Sequence, residues 1–150
     1  MKNLYESVLD SFDKVAADAE VTVIRDFILS NYDTFESDIH IQKVGSKYIV
    51  DVDGEVVLVN NYLQELTMGF EFGEIRGSFC CSWSEIKTLK GAPRYCEEFL
   101  CEECINWDRK TIEAWLIAEV RSMSMTDIMK DIVRSTLVKE IEKWRAAGIE

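Results

Sequence analysis

Between Gly77 and Asn106 the chain repeats itself. Offset by 20 residues, Phe79 falls on Phe99, Cys81 on Cys101 and Ser84 on Cys104. The shared form is F-x-C-x-x-C/S. Between its two copies lies I-x-x-L-x-G-A-P, at Ile86, Leu89, Gly91, Ala92 and Pro93. A period near 20 is that of short coils of leucine-rich type. One such coil is a strand plus a turn and cannot bury its apolar side alone, so neighbouring coils must stack. The stretch holds all 5 cysteines and the only proline of the 150-residue chain, so it also bounds where thiol chemistry can occur. Leu63 and Leu66 carry the same L-x-x-L spacing one coil earlier, and the glycines at 69, 73 and 77 argue against a long helix there.

The flanks read differently. Leu4, Tyr5, Val8, Leu9, Phe12, Val15 and Ala16 recur at three and four, which predicts an amphipathic helix over 3–17. Val21, Ile24, Phe27 and Ile28 predict a second over 20–31, ending near Asn31. The short join predicts an antiparallel helical hairpin. The period then falls to two. Ile39 and Ile41 alternate with His40 and Gln42, Gly45-Ser46 signals a turn, and Lys47 to Val52 is β-rich. Asp53-Gly54 is a two-residue hairpin signal, because a type I′ turn needs positive φ at both central positions. With Val56 to Val59 this predicts a three-stranded meander. Asp51, Asp53 and Glu55 would mark its solvated tip, since the further oxygens and terminal glutamate of a calcium loop are missing.

After the repeats, Asp108 is placed as an N-cap, with Trp107 and Ile112 set for a hydrophobic staple. Ile112, Trp115, Leu116 and Val120 form the buried face. Ser124-Met125-Thr126-Asp127 is a capping-box pattern opening a last helix over 126–147. Its stripe is Ile128, Ile132, Val133, Leu137, Val138, Ile141 and Trp144. Gly148 suits the C-cap, and Lys139, Lys143 and Arg145 suit the negative end of the dipole. The expected fold is therefore α+β. It comprises a helical hairpin and meander over 1–60, a truncated leucine-rich-like region over 61–106 and a C-terminal helical cap over 107–150, together one compact domain.

The coil motif resembles a set of phage-encoded proteins built from tandem short repeats of the form G-x-F-x-C-x-x-C-x-x-L-x-x-L-x-G-A-P. Those proteins often begin with a segment like Leu4-Tyr5-Glu6-Ser7-Val8-Leu9-Asp10-Ser11-Phe12, and Leu66 to Phe72 resembles the entry into their first coil. The resemblance spans residues 4–106. It implies a phage or prophage context and a binding surface, without naming a target. The relatives carry many coils, whereas this chain holds at most about two and a half, and Trp107-Asp108 turns into helix where the next L-x-x-L-x-G-A-P would stand.

Charge narrows the partners. The net charge is −11, and residues 1–75 carry 15 acids against 5 bases, while residues 76–150 carry 13 against 12. Such a chain does not seek phosphate backbones, which need Lys and Arg to displace counterions. It suits a protein with a basic surface, including a nucleic-acid-binding effector. The densest acid cluster is Glu97, Glu98, Glu102 and Glu103. With Trp83 and Trp107 nearby as aromatic anchors, these six are the expected protein-binding residues. No run of 18 apolar residues and no basic-then-apolar leader occurs, so a membrane partner is not expected and a cytoplasmic setting is, that of the host cell if the protein is phage-encoded.

No nucleophile, phosphate-loop or zincin motif is present, and His40, the only histidine, sits in a strand pattern. No catalytic residue and no cofactor are expected. Cys81, Cys96, Cys101 and Cys104 could form a four-thiolate zinc site, with Cys101-x-x-Cys104 at ligand spacing. Equivalence of Ser84 with Cys104 favours thiols packed in an inner column instead. The expected function is a phage-type protein-binding module that inhibits a host defence nuclease of CRISPR type stoichiometrically. The alternatives are a non-inhibitory structural or assembly protein, as a homodimer through the last helix, and a small zinc-stabilised module.

Overall fold

The computed structural model describes residues 4–104, 107–123 and 125–148, with the side chains of 4–17 and 122 outside the description. The architecture is α+β, a curled six-stranded sheet flanked by helices. The first helix, α1 (Leu4–Asn31), is a single element of 28 residues. The expected hairpin of two helices is therefore not formed. Ala16-Ala17-Asp18-Ala19 contains no glycine or proline, and alanine is the best helix former, so nothing ends the first stripe before the second begins. The apolar stripe from Leu4 to Ala16 lies outside the described side chains. Further on, Ile24 and Ile28 are buried, and Phe27 meets Phe70 edge to face at 5.7 Å. Asn31 ends the helix as expected. It is buried, its amide donating to Phe27 O at 2.8 Å, its side-chain oxygen accepting from Asn60 at 2.8 Å and its carbonyl accepting from Val59 N at 2.9 Å.

The chain then enters β1 (Tyr32–Asp33), a short 3-10 turn (Glu36–Asp38), β2 (Ile39–Val44) and β3 (Lys47–Val52). β2 and β3 form an antiparallel hairpin, Ile39 opposite Val52, about the Gly45-Ser46 turn, where Gly45 takes φ +64°. The Asp53-Gly54 corner closes no second hairpin. β4 (Val56–Leu58) leaves β3 and pairs antiparallel with β1 and parallel with β5 (Glu71–Cys80). Gly54 is not in the left-handed region that a type I′ turn requires. Asp53 instead donates its N–H to Asp38 O at 3.0 Å and takes His40 and Arg76 on its carboxylate. The expected meander is thus broken because β3 already has β2 on one edge and β5 on the other, so β4 pairs with β1 and β5 instead.

Central strand β5 carries β3 and β4 in succession on one side and β6 (Tyr95–Leu100) on the other, all parallel to it. Close approach explains its glycines. A Cβ at Gly73 would lie 2.2 Å from the Asp51 carboxylate, and one at Gly77 would lie 3.0 Å from Gly54 C. β5 and β6 pair in the register Ser78↔Glu98, Phe79↔Phe99 and Cys80↔Leu100, which is the 20-residue offset of the sequence. Parallel strands need crossover connections, and the one from β5 to β6 is the I-x-x-L-x-G-A-P segment, with Ile86 and Leu89 fully buried. Gly91, at φ +90°, sits where a Cβ would lie 2.7 Å from Thr67 of the preceding segment.

The inner side of the sheet is a continuous apolar core. Tyr32, Phe72, Phe79 and Phe99 follow one another, with Phe79 and Phe99 stacked at 6.0 Å and 1°. Burial of each such ring contributes on the order of 2–3 kcal/mol. After β6 the expected helices appear. Asp108 caps α2 (Arg109–Ala114), its carboxylate accepting from Thr111 N at 2.7 Å. A π-helical turn (Trp115–Glu119) and α3 (Val120–Ser122) continue it without a break. Trp107, Ile112, Trp115 and Val120 are buried, the two indoles edge to face at 4.9 Å.

Last comes α4 (Asp127–Ala146), capped by Thr126 accepting from Met129 N at 3.1 Å, with Gly148 at φ +75° beyond its end. Ser124 of the expected capping box lies outside the described residues. Its buried side is Met129, Val133, Leu137, Glu140 and Ile141. Ile128 and Val138, expected in the stripe, are exposed. The helix is turned so that its i, i+4, i+8 row starts at 129 rather than 128, because α4 must satisfy the outer edge of β6. Thr126 N donates to Arg94 O at 3.0 Å, Thr136 Oγ1 to Phe99 O at 3.3 Å, and Glu140 accepts from Glu103 N at 3.3 Å. An uncovered strand edge is a template for aggregation, and this helix covers it. Among the described residues no helix is long and apolar enough to cross a membrane.

Candidate partner-binding surface

The two coils keep the same backbone beyond their strands. Cys81 N donates to Leu100 O and Trp83 N to Glu102 O, each at 2.9 Å. Trp83 and Glu103, again 20 apart, are the two described non-glycine residues with left-handed φ, at 59° and 53°. The turn that ends each strand therefore needs positive φ, and the chain supplies it without glycine. For a bulky residue this costs on the order of 1–2 kcal/mol.

That turn sorts the predicted binding residues. Trp83 projects outward and is 65% exposed. Trp107, expected beside it, is buried, with its indole N–H donating to Ile86 O at 3.2 Å. It closes the core where the next coil would have packed, so it is not a surface anchor. Glu97 and Glu98 are exposed on β6, and Glu98 accepts from Ser78 Oγ at 3.4 Å. Exposed Glu102 has its N–H held by Ser82 Oγ at 2.9 Å. Glu103 is half-buried, and its carboxylate takes Lys143 at 2.8 Å, whereas Glu102 lies 3.8 Å from the same cation. The Glu103 bond, helped by the surrounding carboxylates, raises the Lys143 pKa.

Glu97, Glu98 and Glu102 share a groove of about 310 Å³ with Ile132, Ser135, Thr136 and Lys139 of α4. The helix side of this groove, and the Glu140–Glu103 contact that sets the end of the coil, had no signal in the sequence. A glutamate three residues after Leu137 reads as solvated until the strand edge beside it is known.

The thiols do not gather as a metal site. Cys81 and Cys101 meet at 2.9 Å, and Cys104 lies 3.6 Å from Ser84 Oγ and 3.4 Å from Cys81 O. Cys96 turns instead to Glu98 O at 3.4 Å and to Met129 Sδ at 3.7 Å. Among the described residues no group of three or more ligand side chains is placed to hold a metal ion. The alternative set Cys81, Cys96, Cys101 and Cys104 is split because Cys96 belongs to the contact with α4. Burial raises the Cys81 and Cys101 thiols and pushes Cys96 up to about 12. Cys104 is lowered, chiefly by a hydrogen bond from Cys101. Cys81, Cys96 and Cys101, buried and held protonated, are packing groups rather than nucleophiles.

Asp51 accepts from Glu74 N at 2.8 Å, and His40 meets Asp53 at 2.9 Å on the surface. An apolar hollow between α1 and β3, lined by Val23, Ile24, Tyr48 and Met68 among others, has Tyr48 donating to Glu20 at its rim. Comparison with protein-family models, with curated proteins and with solved structures finds no match to this chain.

Proposed function

We propose that the protein is an acidic, non-catalytic protein-binding module that docks on a basic surface. One observation carries this reading. The coil turns present an exposed tryptophan and exposed carboxylates, with Lys143 bound to Glu103 and Lys139 lining the adjoining groove. Aromatic anchors ringed by charge are what interfaces use, and a net charge of −11 steers the chain to cationic partners. In its most concrete form, the module inhibits a host defence nuclease of CRISPR type stoichiometrically, occupying the basic channel that would hold nucleic acid. The likeness of the Cys-containing coils to phage leucine-rich-like repeat proteins supports that setting, and with it the host cytoplasm.

The test is affinity capture from host lysate followed by titration of the captured nuclease. The expected result is inhibition that saturates at about one chain per enzyme, as tight stoichiometric binding requires. Recovery of nothing but further copies of this chain would refute it. That outcome would favour the second reading, a homodimeric scaffold, for which the exposed Ile128 and Val138 on the outer side of α4 speak.

A further inference from the structure

Three thiols meet in the inner column of the coils. Cys81 and Cys101 follow the paired residues Cys80 and Leu100 by one position, and Cys81 N donates to Leu100 O at 2.9 Å. Their sulfurs lie 2.9 Å apart. Adjacent strands lie about 4.8 Å apart, within the Cα separation of about 4.4–6.8 Å that a disulfide spans. The second coil adds Cys104, which is hydrogen-bonded to Cys101 and whose sulfur lies 3.4 Å from Cys81 O. In the first coil Ser84 holds that place, its hydroxyl donating to Cys81 O at 2.7 Å. Cys81 therefore has no C-x-x-C partner of its own, and its sulfur faces Cys101 instead. All five cysteines are free thiols.

From this arrangement we infer that Cys104, Cys101 and Cys81 form a peroxide-sensitive thiol relay that ends in a reversible disulfide between the two coils, Cys81 to Cys101. Cys104 is where the oxidant enters. It keeps 6% of its surface while the other two keep none, and the bond from Cys101 favours its thiolate, the attacking form. That sulfur attacks one peroxide oxygen, the O–O bond breaks, and the departing hydroxide takes the thiol proton and leaves as water. Cys104 is then a sulfenic acid. Cys101 and Cys81 do not meet the oxidant, and each acts only on the sulfur beside it, its proton passing to the departing group. The Cys101 sulfur attacks that of Cys104, the S–O bond breaks, and hydroxide leaves with the Cys101 proton as a second water. Cys81 then attacks Cys101, and Cys104 departs and takes up the Cys81 proton. The more acidic thiol is the better leaving group, so exchange favours Cys81–Cys101. Two thiols lose two electrons and two protons in all, and one peroxide becomes two waters. In a reducing compartment such a bond is transient and sensing rather than structural. It ties together the bases of the turns that carry Trp83 and Glu102, which the bond from Trp83 N to Glu102 O already links.

The relay does not depend on the protein-binding reading, and its test needs no partner. The folded, fully reduced chain is treated with hydrogen peroxide, denatured and alkylated, and its mass and bridged peptides are read by mass spectrometry. Alkylation should fall by two sites from the 5 of the untreated chain. The bond should map to Cys81 and Cys101, and dithiothreitol should restore every thiol. Cys104→Ala should slow the loss about tenfold or more, and Cys81→Ala should stop the reaction at Cys101–Cys104. Cys80→Ala, outside the relay, should change neither rate nor product. In the wild-type chain alone, full alkylation after peroxide, a bond through Cys80 or Cys96, a final bond between Cys101 and Cys104, or sulfinic acid without a bond each overturns the relay. Oxidation of Cys104→Ala at the wild-type rate overturns Cys104 as the point of entry.

Discussion

The inner and outer sides of the two coils share one backbone and obey different rules. Inside, equivalent positions hold equivalent groups, with Phe79 stacked on Phe99, Cys81 on Cys101 and Ser84 beside Cys104. Outside, equivalent positions diverge. Ser82 answers Glu102, and Trp83 answers Glu103, although each pair occupies the same turn. Stacking dictates what the inner column can be, because a coil is buried by its neighbour. Nothing in stacking dictates the outer residues, so their identity reports on what the surface meets.

Substitutions should expose that contrast. The largest effect is expected inside. Phe79→Ala removes a fully buried ring and should destabilise by about 3–5 kcal/mol, read from chemical denaturation. A loss under about 1 kcal/mol would show the coils to be held by backbone pairing rather than by the aromatic column. Next is the junction with the cap. Glu140→Ala strips the acceptor from Glu103 N and should cost about 1–3 kcal/mol, with faster amide exchange at Glu103 as its local signature.

Alkaline titration tests the buried contact of β6 with α4, where Cys96 meets Met129. The Cys96 thiol titrates near 12 in the folded protein and near 9 when unfolded, so above pH 9 the unfolded chain holds fewer protons than the native one. Stability contributed by the neutral buried thiol is then fully present below pH 9 and is lost as pH rises towards 12. The thermal midpoint should fall over that window, and Cys96→Ala should flatten the fall. The smallest effect is expected outside. Trp83→Gly relieves a left-handed φ and should stabilise by about 0.5–1 kcal/mol, while weakening any partner that uses the indole. A stability gain with binding unchanged would mean that the strained tryptophan serves neither fold nor function.

Two corners of the N-terminal half show why part of the fold was hidden. Gly45-Ser46 and Asp53-Gly54 both read as hairpin turns. The first closes β2 on β3 because both strands are at hand. The second yields, because β5 supplies a parallel partner further along the chain, Val56 pairing with Phe79 across the 59–70 segment. Turn chemistry is local, and a distant strand outbids it without leaving a trace at the turn. The single helix α1 is the opposite case. The break expected near residue 18 came from a change of apolar stripe, but alanines there carry the helix through. For the site, Glu97, Glu98, Glu102 and Trp83 were legible as surface groups because they fall outside the repeat's apolar positions. Trp107 was not, since its distance from Trp83 along the chain gives no hint that its indole bonds to Ile86 O.

The sequence by itself determined the α+β class, the cap at Asp108 and the 20-residue register of β5 on β6, each set by residue types at short spacing. Tertiary structure alone decided the partner of β4, the face that α4 turns inward and the burial of Glu140. Those depend on which unpaired backbone groups of a strand edge lie opposite which side chains, and that is a property of the assembled sheet.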